Sequence, residues 1–194
     1  TNVTDANPAV TIDTQGNGIA MWQQGGNNAI HYNIYRAGSG WQGAVEVVGQ
    51  SNGLGSASIQ LAMTPDGRAL AVWSGGGAFS NLNSMQYNPA TGWTTPFIVY
   101  EYNINRRMQM DNNCQAVMVY SPRFVAPSTN FDLVSRSLTL GGQWSAPTLI
   151  ETGVGSLRDP FFAMNQSGQG VVIWTQNDVA NSSVRNSLWS AVLR

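Results

Sequence analysis

The sequence predicts an all-β fold assembled from repeated four-stranded antiparallel sheets, and three observations carry that expectation. A polar turn, a glycine and an apolar run closing on an aromatic ring recur as DTQGNGIAMW (to Trp22), TPDGRALAVW (to Trp73) and NQSGQGVVIW (to Trp174), with a degenerate copy, DNNCQAVMVY, ending at Tyr120. By subtraction, the four aromatic residues lie 51, 47 and 54 positions apart. A second marker keeps the same beat, with GSGW at Trp41, ATGW at Trp93 and GGQW at Trp144. Within each copy, hydrophobic residues alternate with a period of two, which is strand patterning.

Each copy resolves into four strands. The first places Val10 and Ile12 on one face, then Ile59, Leu61 and Met63, then Met108 and Met110, then Phe162 and Met164. A tight polar turn follows (TQGN, TPDG, NNCQ, QSGQ), rich in residues that accept positive φ. The second strand is apolar on both faces, as where Ile19 and Met21 alternate with Ala20 and Trp22. Such a strand is covered on both sides. A third, more amphipathic strand follows, as in AIHYNIYR and DLVSRSLTL, and the fourth is expected to start at the Gly-Trp marker. Cys114, the single cysteine, reads as a small apolar filler in a strand and excludes an internal disulfide.

Four antiparallel strands in about 50 residues, repeated, define a β-propeller blade. A blade has two faces to cover, so each needs a neighbour on either side, and the aromatic closing the second strand becomes an interblade packing piece. The expectation is one domain over residues 1–194, with repeats at about 7–50, 58–101, 105–151 and 159–194. The fourth repeat ends in its third strand, so the last blade is incomplete or is closed by the N-terminal segment TNVTDA. An unclosed edge would pair with another copy or belong to a larger assembly.

Repeats that read polar turn, Gly, apolar run, Trp and then Gly-Trp resemble those of secreted bacterial β-propeller-type repeat proteins, over about Asn7 to Arg194. They are also loosely similar to the repeats of sialidase-type and lectin propellers, although no copy places a Ser before the Asp with a close aromatic as a strict aspartate box does. The resemblance implies the fold; propellers host lectins, enzymes and docking modules alike.

Composition narrows the function classes. Charged residues make up 10% of the 194, lysine is absent and the net charge is −1, so no attraction to nucleic acid or anionic lipid is expected. The neutral polar surface suits a secreted, periplasmic or cell-surface protein. The chain opens on Thr1, as a processed or trimmed product would, and its apolar runs are far shorter than the ~20 residues of a membrane helix, so a soluble protein is expected. His31, the single histidine, reads as a strand-surface residue. Glu46, Glu101 and Glu151 fall at equivalent fourth-strand ends, spread around a rim, whereas glycoside chemistry asks for two carboxylates facing across a cleft. Asp13, Asp66 and Asp111 fall in or beside turns, and neither a metal cluster, a cofactor motif nor a nucleophile elbow is present.

Loops joining strands two and three share one face with the links between blades, and they differ from repeat to repeat. Irregular loops on a rigid scaffold are where binding usually resides. Arg106, Arg107, Arg123, Arg158 and Arg185 gather there, with Phe124 as aromatic surface, and these are the candidate ligand-binding residues. The sequence reading is therefore a non-catalytic exported module that binds a glycan or protein through this face, with no cofactor. The rival readings are a sialidase-like glycoside-active enzyme and a structural part of a larger assembly.

Overall fold

The computed structural model describes residues 5–24, 29–47, 58–74, 81–101, 103–122, 132–151, 157–177 and 186–193. Among them there is no helix, and the strands form four antiparallel sheets in chain order, the β-propeller blade architecture that the repeats predict. The first sheet holds β1 (Asp5–Ile12), β2 (Gly18–Gln24), β3 (Ala29–Arg36), β4 (Gly40–Trp41) and β5 (Val45–Glu46). The second holds β6 (Ile59–Met63), β7 (Ala69–Ser74), β8 (Asn81–Asn88), β9 (Gly92–Trp93) and β10 (Phe97–Glu101). The third comprises β11 (Asn103–Met110), β12 (Gln115–Pro122), β13 (Leu133–Thr139) and β14 (Thr148–Glu151). The fourth has β15 (Leu157–Met164), β16 (Gly170–Asn177) and β17 (Asn186–Leu193). The chain divides into two compact units, Thr1–Glu101 and Tyr102–Arg194, of two sheets each. The N-terminal segment invoked for closing the last blade lies largely outside the described residues.

All four first hairpins are closed by one device. The backbone N–H of Asp13 donates to the Asn17 carbonyl, Thr64 to Arg68, Asp111 to Gln115 and Asn165 to Gln169, at 2.8–2.9 Å. The Asp13 carboxylate accepts from the backbone N–H of Gln15 and Asn17, both at 2.8 Å, and Asp111 and Asn165 repeat this pattern in their own turns. In the second hairpin the Thr64 hydroxyl instead bonds the Asp66 carboxylate. Gly16, Gly67 and Gly168 take φ of +84° at the fourth turn position, and Cys114 stands there in the third hairpin with φ of +64°. Cys114 thus sits in the NNCQ turn that the repeat predicts, which corrects its reading as a small apolar filler in a strand.

The Gly-Trp marker also differs from expectation. In the first two sheets it forms only a two-residue strand paired with the end of the third strand, Trp41 opposite Tyr35 and Trp93 opposite Tyr87, in the third it lies outside any strand, and the fourth strand proper begins later. Gly43 at φ +112° separates the two pieces in the first sheet, and Pro96 falls at the same break in the second. Proline lacks the N–H a ladder needs.

Within each unit the two sheets pack by the same pair of faces. In the first unit, Ile19, Met21 and Ile30 of the leading sheet meet Ala71, Trp73 and Tyr87 of the following one. In the second, Val119 and Leu133 meet Phe162, Val172 and Trp174. Trp73 is fully buried and Trp174 nearly so, as expected of interblade packing pieces, and burial of such side chains contributes roughly 2–3 kcal/mol each. The turns are latched across the same interface: Thr14 Oγ1 donates to the Pro65 carbonyl at 2.9 Å, and the Asn112 N–H to the Gln166 carbonyl at 3.3 Å. A Cβ at Gly67 would lie 3.1 Å from Asp13 Oδ2, and one at Gly168 would lie 3.1 Å from Asp111 Oδ2.

Candidate functional site

The hairpin turns occupy one end of every sheet, so the ends of the second strands and the starts of the first strands lie at the opposite end. There the ladder breaks at the same place in three first strands. The register of β1 against β2 shifts between Ala6 and Ala9, that of β11 against β12 between Ile104 and Arg107, and that of β15 against β16 between Arg158 and Phe161. Asn7 and Asp159 take φ of +54° and +51° in these bulges, each followed by a proline, Pro8 or Pro160. A bulge turns one extra residue out of the ladder and re-aims its side chain.

Opposite the bulges, β2, β12 and β16 change from apolar to buried polar just past the aromatic marker. Gln23 is buried and its Oε1 accepts from Asn7 Nδ2 at 3.0 Å. Gln176 is buried and its Oε1 accepts from the Trp174 indole N–H at 3.1 Å. Ser121 is fully buried, and its hydroxyl has no hydrogen-bond partner among the described residues. Buried polar groups of this kind are costly unless they are satisfied.

The second unit adds charge at this end. Arg106 stands in the β11 bulge at the position that Pro8 and Pro160 occupy in the first and fourth sheets, and it is only 5% exposed. Burial lowers its pKa to about 10, with the Arg107 charge adding to the effect, which still leaves it protonated at neutral pH. Arg107 is half-buried, donates from Nη1 to the Arg106 carbonyl at 2.9 Å, and rests over the Phe161 ring at 5.1 Å. Arg158 is exposed on β15, its carbonyl accepting from Thr175 Oγ1 at 3.3 Å. Glu151 closes β14, and Asp159 is exposed beside Arg158.

Two placements correct the sequence reading. Arg106 and Arg107 belong to a first strand rather than to a blade link, because β11 extends through its bulge back to Asn103. His31 is not a surface residue: its side chain is 13% exposed, it stacks on Trp22 with ring centroids 6.0 Å apart, and its Nε2 lies 4.0 Å from Glu46. Arg123, Phe124 and Arg185 lie outside the described residues. Ser121, Gln176 and Asp159 were not singled out from sequence, yet a signal exists: the residue after each marker, Gln23, Ser74, Ser121 or Thr175, is polar every time. Among the described residues, no group of three or more His, Cys, Asp and Glu side chains could hold a metal ion. No described helix is long and apolar enough to cross a membrane.

Comparison with known proteins places the fold. No protein-family model matches the chain, and no curated protein matches it, so the Gly-Trp repeat resemblance gains no support from sequence. Solved structures do match. An α-L-arabinanase of Penicillium chrysogenum, complexed with arabinobiose, superposes with a TM-score of 0.65 at 12% identity, covering 97% of this chain and 62% of that one. The α-L-arabinofuranosidase of Fusarium graminearum, also with arabinobiose, gives 0.57 at 12%, covering 97% and 61%. An ulvan lyase bound to its sugar gives 0.59 at 10%, covering 96% and 55%. The chain therefore spans about three-fifths of the length of the arabinan-active enzymes it matches.

These likenesses overturn the expectation of a non-catalytic recognition module that is not an enzyme, since the similar structures act chemically on carbohydrate. The physical reason is that a propeller gathers its site from strand ends on different blades. Sequence spacing carries no motif for such a site, and the lack of one does not argue against catalysis.

Proposed function

We propose that this chain forms the propeller of an exported enzyme that cleaves glycosidic bonds in a polysaccharide, with residues 1–194 acting as one domain and the bulged strand ends of the second unit contributing to the site. The observation that carries this reading is the match of nearly the whole chain to the fold of enzymes that cleave polysaccharides, at 96–97% coverage. The chemistry of the second unit supports it. A glycosidase needs a proton donor and a second carboxylate, and Asp132, Glu151 and Asp159 are the carboxylates described at that end of the second unit, of which Glu151 and Asp159 are the pair proposed here. Asp159 is held at positive φ by the bulge, a conformation that tends to persist where function demands it. Arg106, pre-set by burial, would orient a sugar hydroxyl or uronate carboxylate with a charge-assisted bond.

The test is turnover. The purified protein is incubated with arabinan, arabinobiose and ulvan, following reducing-end release and the ultraviolet absorbance of unsaturated uronate. Release from one of these substrates is expected, with Asp159→Asn or Glu151→Gln lowering kcat by about 10²-fold or more, the scale of acid–base catalysis. Arg106→Met should weaken turnover, because it removes the buried cation that would orient the sugar. Absence of turnover on every substrate, or full activity in both carboxylate variants, would refute the reading.

A further inference from the structure

We propose that the bulged end of the second unit is a binding site for acidic sugar, in which Arg106, Arg107 and Arg158 take the carboxylate of a uronic acid residue. The proposal rests on the reading of this chain as a polysaccharide-cleaving enzyme and names the class of sugar it takes.

Two adjoining bulges bring the charge together. Arg106 and Arg107 close the β11 bulge, and Arg158 and Asp159 open the β15 bulge. The Arg107 guanidinium lies 5.1 Å over the ring of Phe161, the first paired residue past the β15 bulge, so the two bulges are neighbours. Within residues 103–107 and 157–161, three arginines stand against the one carboxylate of Asp159. The matching bulge of the first sheet, residues 5–9, carries Asp5 and no cation. Clustered charge of one sign draws an anion.

Arg106 is buried, and both its desolvation and the Arg107 charge work against its protonated form. An anion seated against the pair offsets both effects. Arg107 is already fixed by its bond to the Arg106 carbonyl and by the Phe161 ring, so its planar fork is set before a ligand arrives.

Ser121 supplies a second, independent sign. In the other three sheets the residue after the aromatic marker is tied to its first strand or to the residue before it. Gln23 Oε1 accepts from Asn7 Nδ2, Ser74 Oγ accepts from the Ser58 N–H at 3.0 Å, and Thr175 Oγ1 donates to the Arg158 carbonyl. Ser121 holds that position in β12, opposite Ile104 at the start of the Arg106 bulge. It is fully buried, and its hydroxyl has no such tie among the described residues. A buried hydroxyl without a partner is costly, and beside the arginines it is a donor held for an incoming oxygen. A planar carboxylate meets the guanidinium forks with two acceptors, whereas a neutral hydroxyl leaves their charge uncompensated.

Calorimetric titration tests this with tetramers of galacturonate, glucuronate and mannuronate, each beside its carboxyl-reduced counterpart, and with a sulfated neutral tetramer. One uronate tetramer is expected to bind at least about tenfold tighter than its reduced form, the scale of a hydrogen bond to a charged group, and to weaken as salt rises. Arg158→Gln, at an exposed position that leaves the fold intact, and Arg106→Met should each lower that affinity about tenfold, and Ser121→Ala about threefold. Thermal melts accompany every variant, and Arg158→Gln carries the test if Arg106→Met does not fold. Equal binding of every uronate tetramer and its reduced form overturns the proposal. So does an affinity untouched by Arg158→Gln, and so does a sulfated tetramer that binds tighter than every uronate one. Uronate binding without cleavage of any polymer supports this site while refuting the enzyme reading; cleavage of neutral arabinan with no preference for uronate does the reverse.

Discussion

Cys114→Gly should make the protein more stable, although it removes a half-buried side chain. The four first hairpins share one closing hydrogen bond and one positive-φ position, filled by glycine three times and by Cys114 at φ +64° in the third. Holding a residue with a Cβ in the left-handed region costs about 1–2 kcal/mol. Glycine removes that cost but returns about 0.4–1 kcal/mol through the freer unfolded chain. The net expectation is a gain of roughly 0.5–1 kcal/mol, or about 1–4 °C in Tm for a chain of this size. Urea titration and calorimetry read it, with Gly168→Ala as the mirror control. At φ +84°, and with Asp111 Oδ2 3.1 Å from the added methyl, that substitution should lose roughly 1–2 kcal/mol. A less stable Cys114→Gly, or two variants that move in the same direction, would refute the idea that one backbone geometry serves all four turns.

Two further outcomes follow from the packing and the turn electrostatics. Trp73→Ala should cost about 3–5 kcal/mol because that ring is fully buried, whereas Trp41→Ala, at the exposed Gly-Trp position, should change the urea midpoint little. Burial pushes the Asp13 carboxyl up, but the Asn17 side chain and the backbone N–H groups of Asn17, Gln15 and Gly16 together outweigh it and hold the pKa below its ordinary value. Its contribution is therefore fully present above about pH 4 and is lost as pH falls through the lowered folded value. Melting between pH 5 and pH 2 should show a shallower acid decline in Asp13→Ala than in the wild type, from a lower plateau.

The blade repeat was legible because its causes are local: period-two alternation, turn residues and aromatic markers all lie within a few residues of one another. Where a local sign is absent the reading fails. The NNCQ turn is legible from the repeat, but a cysteine inside it reads as apolar filler, and the fourth strand starts later than the Gly-Trp marker because Gly43 and Pro96 break the ladder after Trp41 and Trp93. The candidate site was less legible. Arg106 looks like a link residue until the bulge carries β11 past it, and Ser121 gains interest only from its burial. The lack of a sequence motif carries no weight either way on a repeat scaffold, where residues that the fold brings together are tens of positions apart in sequence.

The bulges at Asn7, Arg106 and Asp159 also separate two kinds of evolutionary change. In an unbroken strand, inserting or deleting one residue near the loops would reverse the facing of every side chain beyond it and expose the core. A bulge absorbs that change of one, so the segments before Ala6, Ile104 and Arg158 can lengthen, shorten or change chemistry while Val10, Met108 and Phe162 keep their faces. Each of these three first strands is thus a conservative half spliced to a free half. New specificities can be tried at the loop end by small insertions that leave the packing between blades untouched.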